Sequence, residues 1–101
     1  MNIIRRVEND ALVLELSGKL YTPTASLLQK EILTSLKETK NIVLDFRNVE
    51  FLASSGLMAL LAAQKAVSQA EGKMVIKNVN YSVMNVLTIT GFASFLTIEQ
   101  E

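Results

Sequence analysis

The chain alternates between short runs of apolar residues and stretches whose apolar residues recur every three or four positions. Ala11-Leu12-Val13-Leu14-Glu15-Leu16-Ser17 predicts a strand closed by Gly18. Asn9-Asp10 ahead of it is a turn signal, so Ile3-Ile4-Arg5-Arg6-Val7 is the expected hairpin partner. Thr22-Pro23 reads as an N-cap and first helical residue, because proline loses nothing there by lacking an N–H. Ala25, Leu28, Ile32 and Leu36 then give an amphipathic helix of about four turns. Asn41 opens Ile42-Val43-Leu44-Asp45-Phe46, apolar on both faces until Asp45, as expected of a central strand covered on both sides. Arg47 to Leu52 is expected to cross to a second helix, which starts at Ala53-Ser54-Ser55-Gly56 and runs to about Ala70 before Gly72. Lys73 to Lys77 predicts a strand. Asn80 or Ser82 caps a third helix with Val83, Val86, Leu87 and Ile89, which Gly91 stops, and Phe95 to Ile98 is a last short strand. A leading hairpin followed by alternating strands and helices implies a layered α/β domain with a mixed sheet, one unit over residues 1–101.

The second helix departs from that regular pattern. In FLASSGLMALLAAQ, Phe51 to Gln64, the first polar side chain after Gly56 is Gln64. A helix lying on one sheet normally shows a polar outer face. A deeply buried, alanine-rich helix accounts for this at least as well as the alternative, an apolar docking surface on which Met58 would be an adaptable contact. The stretch is shorter than the ~20 apolar residues of a membrane span, and there is no apolar region behind the charges of the first residues.

Composition narrows the chemistry. The 101 residues are 50% hydrophobic and 20% charged, which suits a folded domain. Ten basic and ten acidic side chains give a formal net charge of zero, against a nucleic-acid binder or a polybasic membrane binder. With no His and no Cys, the sequence excludes a His-Cys zinc site, a Cys nucleophile, a Ser-His-Asp triad, a phosphohistidine relay and disulfides. No metal, cofactor or nucleic acid is expected, and a cytoplasmic monomer without direct membrane insertion is. Ser54 and Ser55 sit where the chain enters the apolar helix. Either can serve as its N-cap. Either can instead accept a phosphate, which the free N–H groups and dipole of a helix start would hold without refolding.

These residues resemble a known family. Val43-Leu44-Asp45-Phe46-Arg47-Asn48-Val49-Glu50-Phe51-Leu52-Ala53-Ser54-Ser55-Gly56-Leu57 is similar to the signature of STAS domains of the anti-sigma-factor-antagonist type. Leu16-Ser17-Gly18-Lys19-Leu20 resembles the family's second strand and turn. Asn78-Val79-Asn80 with Val86 to Phe92 resembles its last helix and stop. The resemblance implies a mixed sheet of four to five strands with three to four helices mainly on one face. It also implies partner switching. The unphosphorylated antagonist binds an anti-sigma factor that is also a serine kinase, phosphorylation at the first serine of the signature releases it, and a serine phosphatase restores binding. Ser54 matches that serine, with Ser55 as second choice. Ala53, Ser54, Ser55, Gly56, Leu57, Met58 and Tyr21 are the implied partner-binding residues, and Asp45 the supporting acid. Gly56 is expected to let the kinase or the phosphate approach the backbone.

Two positions depart from the family pattern. Ala53 stands where regulated antagonists carry Asp, and Tyr21 where many carry an acid. Ala53 keeps a second reading open, a constitutive STAS-type accessory subunit of a membrane transport (lipid) ATPase, with Ser54 only a cap. An enzyme is the third reading and has least in its favour. There is no nucleophile with a base and no metal cluster, and Gly18, Gly56, Gly72 and Gly91 are scattered rather than forming a phosphate loop.

Overall fold

Five strands and three helices follow one another in an order that decides where every helix lies. The structure, a computed structural model, describes residues 2–100; Met1 and Glu101, the ends of the expected unit, lie outside the described residues. The elements are β1 (Asn2–Glu8), β2 (Ala11–Leu20), α1 (Thr22–Ser35), β3 (Asn41–Leu52), α2 (Ser54–Gln69), β4 (Lys73–Lys77), α3 (Tyr81–Ile89), a 3₁₀ turn at Phe92–Ser94, and β5 (Thr97–Glu99). The sheet order is β1-β2-β3-β4-β5, antiparallel between β1 and β2 and parallel thereafter. Asn9 and Asp10 both have positive φ (48° and 68°), as a tight two-residue hairpin requires.

Each parallel crossover, β2-α1-β3, β3-α2-β4 and β4-α3-β5, steps in the same direction across the sheet. Crossovers of one hand stepping one way place every helix on the same face. The core follows: Leu12, Leu14 and Leu16 of β2, Ile42, Leu44 and Phe46 of β3, and Met74 and Ile76 of β4 pack with Leu28, Ile32, Leu60, Ala63, Val83 and Leu87 of the helices. Among the described residues the second face carries no helix. β3 is therefore not covered on both sides, as its apolar run had suggested. Val43 is half-buried because Val13 and Val75 flank it in register, not because anything lies over it.

β3 also runs six residues past Phe46, through the segment expected to be a crossing. Against β2, the register slips between Glu15/Ser17 and again between Gly18/Lys19, each slip giving β3 one extra residue. Buried apolar positions along β3 are accordingly Ile42, Leu44 and Phe46 at spacing two, then Val49 and Leu52 at spacing three. β2 passes through Gly18 rather than ending there, since glycine accepts the φ of 101° that the second slip imposes. Asn80, not Ser82, caps α3: its side chain accepts the Val83 N–H at 2.9 Å and donates to the Val49 carbonyl at 2.8 Å. The last strand starts at Thr97, two residues later than expected, because Phe92–Ser94 forms the 3₁₀ turn after Gly91.

Candidate functional site

The register that ends β2 and β3 brings the starts of two helices together. Leu20 lies opposite Leu52, and the Leu20 carbonyl accepts the Ala53 N–H at 2.9 Å. α1 and α2 therefore both begin at the carboxyl edge of the parallel sheet, where open α/β folds place ligands and partners. The Thr22 hydroxyl of α1 donates to Ser55 Oγ of α2 at 3.2 Å. At the start of α1 the N-cap is Tyr21, one residue before the expected Thr22. The Tyr21 N–H donates to Thr24 Oγ1 at 3.0 Å, and the Thr24 hydroxyl donates to the Lys19 carbonyl at 2.8 Å.

At the start of α2 the cap is Ala53, with extended backbone (φ −87°, ψ 171°) and no side chain able to cap. Neither Ser54 nor Ser55 is the N-cap; both are already helical. The first intrahelical bond of the turn joins the Leu57 N–H to the Ala53 carbonyl at 3.0 Å, so the amides of Ser54, Ser55 and Gly56 precede the ladder. Ser55 is half-buried and engaged by Thr22, whereas Ser54 is exposed and its hydroxyl has no partner among the described residues.

Three large apolar side chains are exposed at the strand ends and helix starts of this edge. Met58, one helical turn on, is 59% exposed, Phe51 is 51% and Tyr21 is 43%. Phe51 was not among the expected contact residues. Its signal in the sequence was a phenylalanine three residues before the serine and five after Phe46 on one strand: the two bulges together restore the period of two, so Leu52 turns inward with Phe46 and Phe51 turns outward.

Two expected partner residues face the other way. Leu57 is buried in the core, so it anchors α2 instead of meeting a partner. Gly56 is buried too: a Cβ there would lie 2.7 Å from the Leu20 carbonyl oxygen and 2.8 Å from Leu52 Cδ1. Its missing side chain lets α2 approach β2 and β3. The outer side of α2 is also less apolar than expected. Of its large apolar residues only Met58 is exposed, because Leu57, Leu60, Ala63 and Val67 pack inward against α1 and the sheet. We predict that Gly56→Ala lowers stability by about 2 kcal/mol, roughly 10 °C in Tm, through overpacking against backbone that cannot yield. An unchanged melting curve would show the close approach to be unimportant.

Asp45 is not part of this cluster. Seven residues of extended chain, shortened by the two bulges, separate it from Leu52 by roughly 20 Å. It lies on the helix-free face, accepting the Arg47 N–H at 2.9 Å and Asn78 Nδ2 at 3.2 Å. No group of acidic residues able to hold a metal ion is present among the described residues. No helix among them is long and apolar enough to cross a membrane.

A family model described as the STAS domain matches residues 2–101. An anti-sigma F factor antagonist from Paenibacillus polymyxa is 29% identical over 89 residues, spanning 86% of this chain and 76% of that protein. Among solved structures, a candidate anti-sigma factor antagonist from Thermotoga maritima superposes with a TM-score of 0.89 at 23% identity, covering 98% of this chain and 86% of that one. The anti-sigma factor antagonist SpoIIAA in its unphosphorylated form superposes with a TM-score of 0.80 at 19% identity, covering 99% and 90%. At these identities the two structural likenesses establish the fold, a five-stranded mixed sheet with its helices, and no more.

Proposed function

The chain belongs to the STAS domain family, and from that premise we propose that it is an anti-sigma-factor antagonist acting in a partner-switching module. As a single cytoplasmic domain and monomer it binds an anti-sigma factor that is also a serine kinase, through the surface formed by Tyr21, Phe51, Ala53, Ser54, Ser55 and Met58. The kinase transfers a phosphoryl group to Ser54, the complex separates, and a serine phosphatase returns the protein to its binding form. The protein is then a substrate of both enzymes and not itself an enzyme.

The observation that carries this proposal is the setting of Ser54: an exposed hydroxyl at the first position of α2, without a partner among the described residues, at the edge of the sheet where Tyr21, Phe51 and Met58 are also exposed. The two functions asked of the site need opposite surroundings. Binding needs an uncharged, partly apolar surface that a partner can desolvate. Phosphorylation needs a reachable hydroxyl and a place where about −1.5 to −2 charges can stand without disturbing the fold, which the free amides of Ser54, Ser55 and Gly56 supply. Since Ala53 is the N-cap, Ser54 has no capping duty that would otherwise account for it. The relative from Paenibacillus polymyxa, an anti-sigma F factor antagonist by description, supports the same partner class.

Peptide mass spectrometry on the protein from its own cells, against phosphatase-treated material, tests the switch. The expected result is a single phosphate on Ser54, absent after treatment. A protein never phosphorylated at Ser54 under any growth condition, yet held in a stable co-purifying complex, would replace switching with constitutive docking of the kind a transport ATPase subunit makes.

A further inference from the structure

The helix-free face of the sheet carries a concavity of about 300 Å³, near the lower end of the volumes that take small molecules. Val13 and Val43, adjacent in register, line it together with Asp45, Arg47, Lys77 and Asn78, and Glu8 lines it too. Three charges there are incompletely matched. Asp45 is only 7% exposed, and both of its hydrogen bonds go to Oδ1; Oδ2 accepts none among the described residues. Arg47 and Lys77 make no salt bridge among the described residues; the ion pairs there all belong to Arg5 and Arg6. Arg6 also reaches the concavity, but it is engaged by Glu8 and Glu15, whose hydrogen bonds hold its guanidinium more firmly charged than usual. Asn78 takes a φ of 60°, a conformation asparagine tolerates better than most residues, and in it donates its amide to Asp45.

The sign of each free charge selects the ligand. A simple anion on Arg47 and Lys77 would lie beside the Asp45 carboxylate, and a simple cation on Asp45 would lie beside two positive side chains. A molecule carrying both charges on groups bonded to one carbon satisfies all three. We propose that this concavity binds a small zwitterion of the α-amino acid class, its carboxylate on Arg47 and Lys77, its ammonium on Asp45 Oδ2 and its side chain over Val13 and Val43. The site is independent of Ser54, lying on the other side of the sheet.

Titration of ¹⁵N-labelled protein with each standard amino acid, to about 10 mM, detects affinities near 1 mM. At least one amino acid should give saturable shifts confined to the amides around Val13, Val43, Asp45 and Asn78. Its affinity should fall at least tenfold in Arg47→Ala and in Lys77→Ala, both at exposed or half-buried positions whose own spectra report the fold. It should fall likewise when the ligand's amine is acetylated. No shift with any amino acid, equal binding by both variants, or equal binding of the acetylated ligand would overturn the proposal, the last by reducing the site to an anion site.

Discussion

Replacing Ser54 by aspartate is expected to weaken binding to the anti-sigma factor about 100-fold while leaving the free protein at least as stable. The two effects have opposite signs because the same charge meets two environments. In the free protein the carboxylate stands in the first turn of α2, beside amides with no intrahelical acceptor, where a negative charge contributes about 0.3–1 kcal/mol of stability. In the proposed complex it would lie on the surface that carries Tyr21, Phe51 and Met58, under a partner that must strip its water. A buried, uncompensated charge of that kind costs ~3 kcal/mol, which is the factor of about 100. Ser54→Ala removes the acceptor and adds no charge, so it should bind as the parent does and resist phosphorylation. Calorimetric titration against the anti-sigma factor, with a thermal melt of each variant, separates the outcomes. Aspartate binding as tightly as serine would end the charge-switch account, and weak binding together with a lower Tm would mean that the substitution acts through folding.

The fold was legible in the sequence where its period was regular. The hairpin, the helix carrying Ala25, Leu28 and Ile32, the strand Lys73–Lys77 and the capped third helix all stand within a residue or two of where spacing and turn residues put them. The second half of β3 was not legible, because two bulges turn a spacing of two into a spacing of three, which reads as a crossing segment. Nor could a run of apolar residues say whether one face of β3 or both would be covered; that depends on the direction of the crossovers, a property of the whole chain. At the site, the serine and its place at a helix start were readable from Ala53-Ser54-Ser55-Gly56. Which residue caps, and that Leu57 and Gly56 turn inward, depended on the Leu20–Ala53 hydrogen bond, and that Phe51 turns outward depended on β3 continuing to Leu52. Asp45 was placed with the serine by adjacency in the signature, although extended chain between them carries it to the far side of the sheet.

Phe46 and Phe51 put that lesson to a quantitative test, since they are five residues apart and fall on opposite faces only if β3 continues through Leu52. Phe46 is fully buried among the helices. Phe46→Ala leaves a cavity the surrounding side chains only partly fill, and should cost about 3–5 kcal/mol. That is a large share of the roughly 5–15 kcal/mol by which such domains are stable, so much of the variant should be near unfolding in mild denaturant. Phe46→Leu retains most of the volume and should cost about 1.5 kcal/mol or less. Phe51→Ala removes a ring already half in water and should change stability by only about 0.5 kcal/mol, yet it should weaken binding of the anti-sigma factor. Urea unfolding of the three variants, with binding measured on those that fold, reads both quantities. If Phe51→Ala proved as destabilising as Phe46→Ala, β3 would not continue past Phe46 as described, and the exposed aromatic near Ser54 in the chain would belong to the core instead of to the docking surface.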